Sequence, residues 1–77
     1  MSAVTFVCRQ RSRASELFGA SDLVYRETVH ADGRVEWSVR GTSDGEHVNQ
    51  SGVREHGAVD LARVTTARLS SGWSVAS

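Results

Sequence analysis

The sequence predicts an α+β fold: a small antiparallel sheet of three to four strands with a C-terminal helix packed on one face. Three observations predict it. Residues Leu23 to Arg40 alternate apolar and polar about an Ala31-Asp32-Gly33 turn. A second Asp-Gly pair, Asp44-Gly45, recurs twelve residues later, a spacing that fits a meander. Ala58 to Leu69 carries an apolar stripe at helical spacing. The competing architecture is a small all-β barrel or sandwich in which the last segment is a hairpin.

The Leu23–Arg40 ribbon is the organising element. Its two runs are rich in Val, Thr, Tyr and Trp, residues that pack well on a pleated surface. A three-residue loop with Gly33 in the left-handed region fixes the register. Val29 then faces Val35, Glu27 faces Trp37 and Tyr25 faces Val39. Alternation places Leu23, Tyr25, Val29, Val35, Trp37 and Val39 on one face, with Glu27 the single charged intruder. Arg26, Thr28, His30, Arg34, Glu36, Ser38 and Arg40 fall on the other.

Ahead of the ribbon, Ala3 to Cys8 is apolar on both sides and reads as a largely buried strand. Arg9, Arg11 and Arg13 follow at two-residue spacing, so a continuing strand projects all three from one face. Such a row is either a clamp for phosphate or carboxylate or a solvated strand end paired with Glu16 or Asp22. Ser12 to Gly19 suits one or two helical turns, with Leu17 and Phe18 facing the sheet.

Beyond the ribbon, Gly41 to Gly45 reads as a turn, and Glu46 to Arg54 as a weak strand interrupted by Gly52, an edge strand or a loop. On a helix, Ala58, Leu61, Ala62, Thr65 and Leu69 form one stripe, with Asp60 and Arg68 complementing the helix dipole and Gly72 as the stop. The β-branched run Val64-Thr65-Thr66 argues instead for a strand. Trp73 reads as a lid over the apolar face.

Composition narrows the function. The chain has 77 residues, nine arginines against nine acids and no lysine, proline or isoleucine, a bias that points to a GC-rich bacterial or phage genome. One domain is expected over residues 1–77, and a chain this short buries only roughly 60% of its unfolded surface, so a homodimer is in play. A lone Cys8 excludes an internal disulfide and a Cys-rich zinc site. No run approaches the roughly 18 apolar residues of a membrane span, and no signal peptide is evident, which reads as cytoplasmic. His30, His47 and His56 lack ligand spacing, with His47 and His56 the nearer pair, so no metal is expected. Cys8 in an apolar strand is expected to be inert packing, and no phosphate loop is present, so neither catalysis nor a cofactor is expected.

A non-enzymatic binding module remains, acting through protein–protein interaction as an adaptor, inhibitor or regulatory subunit, with strand addition at a sheet edge the simplest mode. The alternative is nucleic-acid recognition by Arg9, Arg11, Arg13, Arg26, Arg34 and Arg40. The expected element order occurs in some nucleic-acid-binding domains, which is analogy of fold alone. Zero net charge weighs against it, because phosphate neutralisation supplies non-specific affinity.

Overall fold

A computed structural model describes residues 3–13 and 20–76. It contains β1 (Ala3–Arg13), β2 (Ala20–His30), β3 (Arg34–Ser43), β4 (Glu46–Glu55), α1 (Leu61–Ser70) and β5 (Ser74–Val75). The strands form one open antiparallel sheet in the order β4-β3-β2-β1-β5. The expected sheet of three to four strands is therefore one of five, and it does not close into a barrel. The uncounted strand is β5, two residues long, which docks on Phe6 and Val7 of β1. A strand at Trp73-Ser74-Val75 belongs to the competing hairpin architecture of the last segment; here it coexists with the helix, because the stop at Gly72 delivers Ser74 and Val75 to the edge of β1.

The ribbon forms as its turn dictates. Val29 pairs with Val35, Glu27 with Trp37 and Tyr25 with Val39. Gly33 has φ +96°, its N–H reaches the His30 carbonyl, and the Asp32 carboxylate accepts the Arg34 N–H at 3.0 Å. The second turn is tighter than Gly41–Gly45. β3 runs on to Ser43, and only Asp44 (φ 52°) and Gly45 (φ 79°) make the bend. Positive φ at both central residues is the type I′ geometry that suits the twist of a two-residue hairpin. Gly52 does not interrupt β4. A Cβ there would lie 2.8 Å from the Trp37 ring, so the glycine makes room for an indole lying across the strand.

One face of the sheet carries Val4, Phe6, Tyr25, Glu27, Val29, Val35, Trp37 and Val39. Phe6, Val29 and Val35 are its buried centre, and Val59, Leu61, Val64 and Trp73 pack on them from α1 and its flanks. β1 is less buried than its composition suggests: Phe6 is the one buried residue among its described side chains. Cys8 stays half-buried on this face as a free thiol.

The segment around Leu61–Ser70 is a helix that stops at Gly72 as the sequence suggests but starts three residues later than the Ala58 it suggests, because Asp60 caps it rather than lying inside its first turn. Asp60 is the N-cap, accepting from the Ala62 N–H at 3.0 Å. At the other end Gly72 (φ 89°) donates to the Leu69 carbonyl and Trp73 to the Arg68 carbonyl, the paired bonds of a Schellman motif. The β-branched run is accommodated because Thr65 and Thr66 donate their hydroxyls to the carbonyls of Leu61 and Ala62. The inward stripe differs from the expected one. Leu61, Val64, Thr65 and Arg68 turn inward, while Ala58, Ala62 and Leu69 are exposed. The helical half of the Ser12–Gly19 expectation fails at its start, since Ser12 and Arg13 belong to β1; residues 14–19, with Glu16, Leu17 and Phe18, lie outside the described residues.

Candidate binding surfaces

The face opposite α1 is open. β1 continues past Cys8, so Arg9 and Arg11 emerge on this face, and the registers bring Arg26, Arg34 and Arg40 to it as well. Five of the six arginines singled out by the sequence thus share one surface. Arg13 closes β1 opposite Ala20, and its side chain lies outside the described residues.

Three of the five are already engaged. Arg9 forms a bidentate pair with Asp22, Nε to Oδ1 at 2.9 Å and Nη2 to Oδ2 at 2.7 Å, and Arg11 Nε approaches the same carboxylate at 3.7 Å. The Arg9 bond, opposed by desolvation and helped by the charges of Arg9 and Arg11, holds the Asp22 carboxyl below its ordinary value and raises the Arg9 guanidinium in turn. Near the Asp32-Gly33 turn, His30 Nε2 bonds Glu36 Oε2 at 2.8 Å. A carboxylate only accepts, so Nε2 carries the proton, and its 3.3 Å approach to Arg34 is a contact rather than a second bond. The His30 bond, and after the opposing desolvation the charges of Arg34 and His30, hold Glu36 below the usual carboxylate range.

Arg26 and Arg40 are the arginines of this face with no ion pair among the described residues. They stand diagonally on β2 and β3 and line a shallow hollow of about 630 Å³ with Val24, Ser38 and Gly41. The face carries no Phe, Tyr or Trp ring among the described residues, because Phe6, Tyr25 and Trp37 all fall on the other side by register.

On the covered face, Glu27 is the intruder the alternation pointed out, and the structure accounts for it. Its side chain is 12% exposed and sits between Arg54 of β4, at 2.7 Å, and Arg68 of α1, at 2.6 Å. The Arg54 contact is a hydrogen bond to Oε1; the Arg68 contact to Oε2 is a close ion pair off the hydrogen-bonding direction. Arg68 also lies 4.9 Å above the Trp73 ring. The sequence reading assigned neither Arg54 nor Arg68 a partner. The signal was available: a carboxylate in an apolar row demands a cation from whatever covers it. Beside this network Tyr25, Trp37, Val39 and Trp73 line a cleft of about 210 Å³.

The third surface is the outer edge of β4. This strand is ten residues long and pairs with β3 without a bulge from Glu46 to Glu55. A two-residue hairpin makes Ser43 and Glu46 a hydrogen-bonded pair, and in an antiparallel ladder such pairs alternate. The N–H and C=O groups of Glu46, Val48, Gln50, Gly52 and Arg54 therefore point to β3. The bond from the His56 N–H to the Gly33 carbonyl continues the same parity. The backbone groups of His47, Asn49, Ser51, Val53 and Glu55 point outward, and no described strand meets them. From Val48 to Val53 the edge carries no charge and no proline, and Val53 is 59% exposed. The outer end of β1 contrasts with it, since Arg9 and Arg11 project there.

The histidines do not converge. His47 and His56 flank opposite ends of β4, about 30 Å apart at strand rise, so the pair expected to be nearer is not. His30 and His56 share the Gly33 end instead. Among the described residues no three of His, Cys, Asp and Glu gather as a metal ion requires. Nor is any described helix long and apolar enough to cross a membrane. No protein-family model, curated protein or solved structure matches this chain.

Proposed function

We propose that this chain is a non-enzymatic binding module of a bacterium or phage, acting in the cytoplasm as an adaptor, inhibitor or regulatory subunit, and that it binds by accepting a strand at the outer edge of β4. The observation that carries this reading is the edge itself: ten residues, no bulge, an uncharged centre and outward backbone groups on alternate residues. Sheet edges of this kind are ordinarily blunted by lysine, proline, a bulge or a covering loop. An edge left without these devices is suited to pairing, with backbone bonds giving affinity and alternate side chains giving selectivity.

The parity of the ladder supplies the test. Proline at Ser51 removes an outward N–H and leaves every bond to β3 intact, whereas proline at Gln50 removes an inner bond. A random peptide display library is panned against the wild-type protein. The reading expects extended peptides whose binding to Ser51→Pro is at least about tenfold weaker and whose binding to Arg26→Ala/Arg40→Ala is unchanged. Peptides that bind Ser51→Pro as well as wild type overturn it.

One observation favours a second reading, nucleic-acid binding on the open face: Arg26 and Arg40 stand beside a hollow with no ion pair among the described residues. The pairing of Arg9, Arg11 and Arg34 with Asp22 and Glu36, and a face without Phe, Tyr or Trp among the described residues, weaken it. That reading expects salt-sensitive retardation of mixed DNA and RNA, abolished by Arg26→Ala/Arg40→Ala.

A further inference from the structure

We infer that the strand accepted at the β4 edge is β4 of a second copy of this chain, paired antiparallel about a two-fold axis through Gln50. The inference rests on the strand-addition reading and names its partner. A two-fold axis perpendicular to the sheet is the symmetry that lets an antiparallel edge pair with itself, and it keeps equivalent faces of both copies on the same side.

The register follows from which groups point outward and from what each side chain meets. With Gln50 opposite Gln50 of the second copy, Asn49 faces Ser51 and His47 faces Val53. These pairs use the outward-pointing backbone groups and supply about eight hydrogen bonds across the axis. On the helix-covered side, Val48 comes opposite Gly52, where the Trp37 ring lies across the strand and no side chain intervenes. An apolar group meets an aromatic edge, twice by symmetry. Glu46 comes opposite Arg54, whose guanidinium commits one Nη2 to Glu27 and is half exposed, leaving N–H groups for a second carboxylate. On the open side, Val53, the most exposed large apolar residue described, is covered by His47.

Moving the axis to Ser51 sets Val48 against Arg54 and Gln50 against the Trp37 ring, so both complementary contacts are lost. The small core gives the association a stabilising role, because the buried apolar residues described are Phe6, Val29, Val35 and Val39 alone. The product is one continuous sheet with two arginine-bearing faces side by side.

Disulfide trapping reads the register directly. At a pair that is not hydrogen-bonded the Cα atoms lie about 4.5 Å apart, within reach of a disulfide. In a Cys8→Ser background, Gln50→Cys is expected to oxidise to a covalent dimer at micromolar concentration in the folded state and not in urea, while Ser51→Cys crosslinks poorly. Without oxidant, sedimentation equilibrium of the wild type is expected to show a monomer–dimer equilibrium whose dissociation constant rises at least about tenfold in Ser51→Pro. Circular dichroism confirms that each variant is folded. A wild type that stays monomeric at hundreds of micromolar, or crosslinking at Ser51 in preference to Gln50, overturns the inference. A monomer that still captures peptides in a Ser51-dependent way overturns the second copy as partner and leaves strand addition standing. Loss of both overturns strand addition itself.

Discussion

Gly33 and Gly45 both sit at positive φ, yet they do different work. At Gly33 a Cβ would collide with the carbonyl oxygens of His56 and Gly57, so the turn is wedged beneath the chain leaving β4. At Gly45 a Cβ meets nothing. Gly45→Ala therefore carries only the left-handed penalty, about 1–2 kcal/mol. Gly33→Ala adds a backbone collision and should lose more than about 3 kcal/mol or fail to fold, as urea denaturation of the two variants would show. Asp22 and Glu36 make the corresponding argument for charge. Each carboxyl is held below its ordinary value in the folded chain, so the unfolded chain binds more protons through the acid range. Their contribution is complete above the ordinary carboxylate value and is lost as pH falls through the depressed native one. The double variant Asp22→Asn/Glu36→Gln should show a flatter fall in thermal midpoint across that acid window than wild type. An equally steep acid limb would mean these two pairs do not carry it.

Among the elements, α1 shows how a charged residue redirects a helix. Apolar spacing alone selects Ala58, Leu61, Ala62, Thr65 and Leu69. The observed inward set takes in Arg68, because that guanidinium has both a carboxylate and an indole to reach beneath the helix. Truncating Glu27 leaves Arg54 and Arg68 without their shared partner. Glu27→Ala should destabilise by about 2–3 kcal/mol, and in a double-mutant cycle Arg68→Ala should cost much less on the Glu27→Ala background than on the wild type. Additive losses would show that Arg68 acts through packing on Trp73 alone. The ribbon was legible from sequence because turn chemistry and alternation agree from Leu23 to Val39. β4 was barely legible because its apolar positions are few: it is held by ladder bonds to β3 and by the Trp37 ring lying on Gly52. β5 was legible only as the return strand of the competing hairpin, since two residues are placed by the helix stop before them.

For the molecule as a whole, the sheet separates two jobs. One face gathers Phe6, Val29 and Val35 under α1 and Trp73. The other exposes arginines that spacing at two residues had already grouped, although which were paired depended on neighbours from other strands. The candidate site was half legible in this sense. The arginine face follows from alternation, while the edge needs the parity that Asp44-Gly45 sets and the knowledge that β4 comes last in the sheet order. Residue-resolved amide exchange across β4 tests the central claim most directly. In dilute solution His47, Asn49, Ser51, Val53 and Glu55 should exchange fast, while Val48, Gln50, Gly52 and Arg54 are protected by β3. On raising the protein concentration, or on adding a peptide selected by panning, Asn49, Ser51 and Val53 should become protected in step with binding. Binding that leaves those three amides exchanging as fast as before would contradict the account.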